Sequence, residues 1–517
     1  MKHFLACPVI FVALLLCKIQ CSKILMVYQM PAHSHYSLGL RIAKELAERG
    51  HQVTVINPYP QKTPIKNFRD VSVEEHIEFI EEFKRSLFSR NSMSLYENIN
   101  FLIRLGAELT NQTLGHKNVK KLLRSGETFD ILIAEYFFND AIIGLGYYFK
   151  IPIVLTAPNA ISGVNNNLFA NPTPASYVPH VLSQYNKHMN FWKRLHNCYI
   201  VNLSNLMKEF ILMPRHRKIF KQHISQDVEL DETLNNVSLV LTNSHVSVTD
   251  AVPHQPNMIE IGGYHIYPPK KLPEDLQKFL DNAKEGAILF SMGSNLKSQD
   301  LKPEMKAGIL AAFSKIKQKV LWKFEVEFKD VPDNVKIVNW VPQQDVLAHP
   351  NIIAFISHGG LLSTIETVYH GVPIIGIPVF GDQQSNIATA VANGYAISIN
   401  LFELNEVKLS WALNEIFKNP MYRENAKQRS KLMQDQPLKP IDVAIYWVEH
   451  VIRHQGAPHL RSAALDLSWY QREMVDIFGF LGLIVVAICT IIYLIFQSVF
   501  RVCFNTKIKI SSGKKNK

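Results

Sequence analysis

Residues 355–383 read FISHGGLLSTIETVYHGVPIIGIPVFGDQ, and their order limits the chemistry they can do. An apolar strand, Ile352–Ile356, ends in Ser357-His358, turns through Gly359-Gly360 and enters a helix. A second apolar strand, Pro373–Ile377, ends in Pro378 and the pair Asp382-Gln383. That layout suits a nucleotide sugar. The glycines let backbone approach a diphosphate, and the helix amino end offers it free N–H groups. Glu366, inside the helix, could accept hydrogen bonds from both ribose hydroxyls, and Asp382 and Gln383 could hold sugar hydroxyls. Taken alone, a glycine turn is also ordinary punctuation between strand and helix. A second element, Ser291-Met292-Gly293-Ser294, follows another apolar strand and brings hydroxyls and amides near phosphate.

The elements that must hold these residues follow an α/β pattern. Ile24–Tyr28 is strand-like, Leu38–Arg49 has helical spacing with Gly50 as its cap, and Val53–Ile56 is the next strand. Phe129–Ala134, Ile151–Thr156 and Val237–Thr242 continue the grammar, with Ala141–Phe149 helical. Ala287–Ser291, Val320–Phe324, Val335–Asn339, Ile352–Ser357 and Pro373–Ile377 repeat it in the second half. Two Rossmann-like domains facing each other are therefore expected, at 22–263 and 275–460, joined by the Pro-rich linker 264–274. Helical Pro440–Arg453 closes the second. The region 165–225 is rich in Asn, aromatic and basic residues and reads as amphipathic helix, suited to lie on a membrane, roof a pocket or pack ordinarily.

The 355–383 window resembles the signature of the UDP-glycosyltransferases, the membrane-bound animal family that includes the glucuronosyltransferases. The small residue before His358, then Ser363, Glu366, Pro373, Pro378, Asp382 and Gln383, all fall in place. Leu362 stands where many relatives carry asparagine, and the Leu362-Ser363 version looks like the arthropod branch. The resemblance implies a GT-B type fold, with acceptor on the first domain and UDP-sugar on the second, and transfer with inversion. UDP-glucose is the favoured donor and UDP-glucuronate the alternative; a catalytically silent binder of the same fold is the rival class. Trp340-Val341-Pro342-Gln343 matches the family's tryptophan-x-proline-glutamine element, with the indole a flat face for uracil. His358 is the implied diphosphate contact, and Gly360 and Ser363 lie beside it.

In the family a Ser-His pair in the first strand-to-helix turn supplies the base, which carries over to Ser34-His35. A helix amino end disfavours the imidazolium, so a neutral base fits there. His33 beside it makes only two ligands, too few for a metal site. Relatives carry an aspartate after a strand in mid-domain. Here the matching position is Glu135, with Asp140 five residues on, and the reading leaves both open as the residue that supports His35. No Asp-x-Asp occurs, so no metal is expected to serve the donor.

The formal charge of +11 does not indicate nucleic acid. Removing the two lysines of residues 1–21 and the six basic residues after Phe500 leaves +3. Residues 1–21 read as a secretory leader, whose removal would take Cys7, Cys17 and Cys21 with it. Ile477–Phe500 carries no charge over 24 residues and is long enough to span a bilayer. The basic tail, 501–517, sets its own side cytosolic, and 461–476 leads into the span. Lys514-Lys515 resembles a di-lysine retrieval signal, so a single-pass type I protein of the endoplasmic reticulum is expected. Sequons at Asn111, Asn202 and Asn236 agree with lumenal exposure. A small lipophilic acceptor and membrane lipid are the expected partners, and self-association into a homo-oligomer is open.

Overall fold

The computed structural model describes residues 21–80, 94–160, 166–293, 301–324 and 330–513. Ser294, the leader through residue 20 and Lys514-Lys515 lie outside that set. The chain divides into two compact units, one up to Arg461 and one from Ser462 onward.

The first unit holds two parallel sheets. The first is built from β1 (Lys23–Val27), β2 (Gln52–Asn57), β3 (Phe68–Ser72), β4 (Ile131–Glu135), β5 (Ile153–Ala157), β6 (Val237–Thr242) and β7 (Met258–Glu260). The second contains β8 (Ala287–Ser291), β9 (Lys319–Lys323), β10 (Val335–Val338), β11 (Ile352–Ser357), β12 (Ile374–Gly376) and β13 (Ala396–Ser398). Their strand orders are β3-β2-β1-β4-β5-β6-β7 and β10-β9-β8-β11-β12-β13. The helices nearest the site are α1 (His33–Glu48), α2 (Leu95–Gly115), α3 (Phe191–Met207), α4 (Met213–His223), α5 (Leu361–Tyr369), α6 (Gln383–Ala392) and α7 (Pro440–Arg453).

Central strands are continuous apolar runs because helices cover both faces of each sheet. In β1, Leu25 and Val27 enter one core while Ile24 and Met26 enter the other. In β8, Ile288 and Phe290 divide from Ala287 and Leu289 in the same way. The three strands that the sequence pattern did not indicate, β3, β7 and β13, all lie at a sheet edge. An edge strand needs less apolar surface, and β3 (FRDVS) has no fully buried residue.

Chain order reverses between β1 and β4 in one sheet and between β8 and β11 in the other. Open α/β sheets bind ligands in the crevice beyond the strand ends at such reversals. His35 follows β1 and Glu135 ends β4; Gly293 follows β8 and His358 follows β11. Helix α7, expected to close the second domain, instead packs on the first sheet. Ile441, Ala444, Ile445, Val448 and Val451 join the core of β1 and α1. Asp442 pairs with Arg49 at 2.6 Å.

The second unit ends in α8 (Val475–Gly513). Its stretch Val475–Val502, 28 residues whose mean hydropathy reaches 2.7 over an 18-residue window, is long and apolar enough to cross a membrane.

Candidate active site

His35 is set by the docking of α1 on β1. Gly39, one turn beyond it, lies against the ring of Tyr28, where a Cβ would come within 2.5 Å. The Tyr28 hydroxyl is fixed by Thr156 at 2.7 Å. This seating brings Nδ1 of His35 to 2.7 Å from Oε1 of Glu135, whose side chain is buried. Nε2 is then the ring nitrogen left to the crevice. Burial disfavours the His35 cation, but the charge and hydrogen bond of Glu135, with Asp382 beyond, outweigh it and raise the pKa above its ordinary value. His33 stacks on Tyr59 at 4.2 Å between centroids.

The turn after β4 is braced from several sides. Asn139 donates to the Glu135 carbonyl at 2.7 Å and accepts from the Phe137 amide at 2.8 Å. His216 accepts from the Ala141 amide at Nδ1, so its Nε2–H donates to the Phe138 carbonyl at 3.1 Å. Phe138 takes φ of +53°, a left-handed conformation that a bulky residue adopts only when held. Gly106 on α2 makes room for it, since a Cβ there would meet the Phe138 carbonyl oxygen at 2.2 Å. The edge of Phe137 packs on the His35 ring at 5.0 Å.

Asp140 takes a different place. It is fully buried, accepts from the Tyr136 hydroxyl at 2.9 Å and lies 3.7 Å from Lys208. Burial would raise its pKa, but Lys208, aided by His216 and Tyr136, holds it below the usual range. Of the two carboxylates left open by the sequence, Glu135 is the one hydrogen-bonded to His35.

On the second sheet the imidazole of His358 sits between two glycines. A Cβ on Gly293 would reach it at 2.6 Å and one on Gly360 at 2.7 Å. Gly293 also has φ of +80° and Gly359 of +83°. The Ser291 hydroxyl accepts the Gly293 amide, and Lys323 donates to the Gly293 carbonyl at 2.6 Å. Burial, with the charge of Lys323, pushes the His358 pKa down to about 4, so the ring is neutral. The amino end of α5 begins at this turn.

Glu366 lies buried beneath it. Gln343 donates to Glu366 at 2.6 Å and to the Ser363 hydroxyl at 3.0 Å. Gln344 donates to the other carboxylate oxygen at 3.2 Å, and His265, from the linker, lies 3.7 Å away. Burial raises the Glu366 pKa to about 7. Trp340 is 65% exposed, so its ring face is open to a ligand.

Asp382 and Gln383 stand at the start of α6. Asn386, one turn on, donates to Asp382 at 2.8 Å and to the Gly359 carbonyl at 3.0 Å. Gln383 spends its carbonyl on the amides of Val379 and Phe380, leaving its amide nitrogen for a ligand. Burial raises the Asp382 pKa, with Asn386 and His35 opposing. A cavity of about 80 Å³ beside Asp382 is lined from the first sheet by Ser244 and Val248 and from the second by Asn386. The two halves therefore meet at one crevice. Asn386, Lys323 and His216 were not singled out in the sequence; only the helical spacing of Asn386 from Asp382 signals any of them. Among the described residues no group of three or more His, Cys, Asp or Glu is placed to hold a metal ion.

Asn202 and Asn236 are exposed, whereas Asn111 is half-buried and accepts from His223 at 3.0 Å.

Comparison with known proteins identifies the family and the fold. The family model described as UDP-glucoronosyl and UDP-glucosyl transferase matches residues 22–510. UDP-glycosyltransferase UGT5 of Dactylopius coccus is 35% identical, over 91% of this chain and 91% of that protein. UDP-glucuronosyltransferase 2B1 of Rattus norvegicus is 34% identical, over 89% and 90%. The structure of a UDP-glucose:anthocyanidin 3-O-glucosyltransferase in complex with UDP superposes with TM-score 0.55 at 14% identity, covering 84% of this chain and 99% of that one. The fold is thus of the GT-B type, and the chain belongs to the UDP-glucuronosyl and UDP-glucosyl transferase family.

Proposed function

We propose that the chain transfers glucose from UDP-glucose to a hydroxyl of a small lipophilic acceptor, with inversion at the anomeric carbon and no metal ion. The observation that carries this reading is the 2.7 Å contact between His35 and Glu135 at the switch point of the first sheet. With Nδ1–H donating to Glu135, Nε2 takes the acceptor's proton as its oxygen attacks the anomeric carbon. The bond from that carbon to the UDP oxygen breaks, and the leaving diphosphate keeps the electron pair. Its charge faces the amino end of α5 and the glycine turns around His358. Trp340 stacks on uracil, Glu366 accepts from ribose, and Asp382 and Gln383 hold the sugar. Leu362-Ser363 supports glucose; glucuronate is the competing donor.

In the same reading α8 spans the endoplasmic-reticulum membrane with the first unit lumenal. The exposed side chains Phe191, Trp192, Tyr199 and Leu206 of α3 rest in the membrane interface.

The test is the full chain in detergent with UDP-glucose or UDP-glucuronate and a panel of phenols. UDP release is followed together with product mass. Glucosides are the expected products, glucuronides would reassign the donor, and donor binding without any product would make the chain a silent binder.

A further inference from the structure

Behind the active-site turn lies a small cavity of about 30 Å³ that the transfer reaction as described does not use. Its walls are apolar: Ile99 and Ile103 of α2, Phe138, Leu182 and Leu212 among them. Its wall residue Phe138 is one aromatic ring from His35, since Phe137 packs on both His35, at 5.0 Å, and Phe138, at 5.4 Å. Yet two polar atoms are buried in its lining with no hydrogen-bond partner among the described residues. These are Nε2 of His180 and the hydroxyl of Ser204.

His180 is 4% exposed and firmly placed. Its Nδ1 accepts from the Leu182 amide at 3.2 Å, so Nε2 carries the proton and is a donor. Asn197 of α3, itself fully buried, accepts from the His180 amide at 2.8 Å and donates to the Ala175 and Val178 carbonyls. Burial pushes the His180 pKa down to about 4, which keeps the ring neutral. A buried donor without an acceptor is costly, so a ligand atom that satisfies it is favoured.

Charge decides which atom. Lys208 also lines the cavity, but it is already opposed by buried Asp140 at 3.7 Å and donates to the Tyr136 hydroxyl at 2.8 Å. The lining is therefore balanced without a further anion. A carboxylate would enter with no net charge to meet it, at a large desolvation cost. A neutral carbonyl or ether oxygen pays far less and accepts from Nε2–H. Size decides the rest: the space admits a terminal group of a few heavy atoms, not a whole ring system.

We infer that this cavity is a selectivity subsite that takes the end of the acceptor remote from its reacting hydroxyl, and that His180 makes it prefer a neutral oxygen there over a hydrocarbon or a carboxylate. The inference rests on the proposed transfer reaction for its meaning but not for its test.

The probes are para-butylphenol and para-hydroxyphenylbutanone, matched in length, with the ketone insulated from the phenol by methylenes. Their binding to detergent-solubilised full-length protein is measured by calorimetry, with turnover and UDP binding followed in parallel. The ketone should bind about tenfold more tightly than the hydrocarbon to the wild type. His180→Phe should erase that preference while leaving UDP binding unchanged, and His180→Gln, which restores a donor, should recover it. Equal binding of the two probes, no binding of either, or a preference that survives His180→Phe would overturn the subsite. If the ketone binds with the expected preference but neither phenol is glycosylated, it is the transfer reading that fails and not the subsite.

Discussion

Asp140 and Lys208 face each other at 3.7 Å in the interior behind the active-site turn, with the Tyr136 hydroxyl bonded to both. This pair belongs to the packing of the turn, while Glu135, five residues earlier, is hydrogen-bonded to His35. Asp140→Asn leaves the Lys208 charge in a poor environment and should cost about 3 kcal/mol of stability. Thermal unfolding should show the loss. At temperatures where the variant stays folded, the pH at which activity appears should match the wild type. A normal melting temperature with lost activity would instead put Asp140 in the chemistry.

His35→Ala should lower turnover about a hundredfold or more while UDP binding stays close to normal. The wild-type rate should fall on the acid side with an apparent pKa above the ordinary histidine value, because Glu135 and Asp382 raise it. The sign is fixed: the base works deprotonated, so a raised pKa moves the acid limb to higher pH. Glu135→Gln removes the main raising charge and should move that limb to lower pH, with slower turnover across the range. An unmoved limb would mean that His35 is not the group being titrated.

How much of this was legible in the sequence depended on how local each signal was. The donor turn is contiguous, so Ser357 through Gln383 could be read as one unit of strand, glycine turn and helix. The buried central strands announced themselves by apolar content, whereas β3, β7 and β13, all at sheet edges, did not. The choice between Glu135 and Asp140 could not be read locally. The contact of Glu135 with His35 depends on Asn139 and His216, which fold the turn back, and on Gly106, which lets Phe138 take a left-handed backbone. Likewise, nothing around residue 440 says that α7 crosses back to the first sheet; that follows from an apolar face matching α1 and from Arg49.

Gly293→Ala and Gly360→Ala each drive a methyl group into the His358 ring, and the first also strains a backbone at φ of +80°. Each should weaken UDP binding about tenfold or more by moving the imidazole and the turn, with Gly293→Ala the worse. Calorimetry with UDP checks this. Unchanged affinity in both would remove the glycine turns from the diphosphate site.

Glu366, with its pKa raised to about 7 by burial, is partly protonated near neutrality. Ribose hydroxyls donate best to the carboxylate form, so protonation competes with UDP. If only the carboxylate binds, affinity should fall about tenfold from about pH 8 to about pH 6. Glu366→Gln should bind more weakly at about pH 8 and lose that pH dependence. A dependence that persists in the variant would assign it to another group.

If the first unit is lumenal, the exposed sequon at Asn236 should carry a glycan. Asn111 should be modified poorly, because its side chain is half-buried and held by His223 at 3.0 Å. Asn202 discriminates further, since it lies on α3 between Tyr199 and Leu206, whose side chains are exposed. A glycan there would hold that face away from a bilayer, so a membrane-resting α3 requires Asn202 to be largely unmodified. Glycopeptide mass spectrometry on microsomal protein reads all three sites. Protease added to sealed microsomes should remove only the tail beyond the span. A glycan at Asn202 would lift α3 off the membrane and leave the orientation intact. Unglycosylated protein that is digested whole from the cytosolic side would reverse the orientation itself.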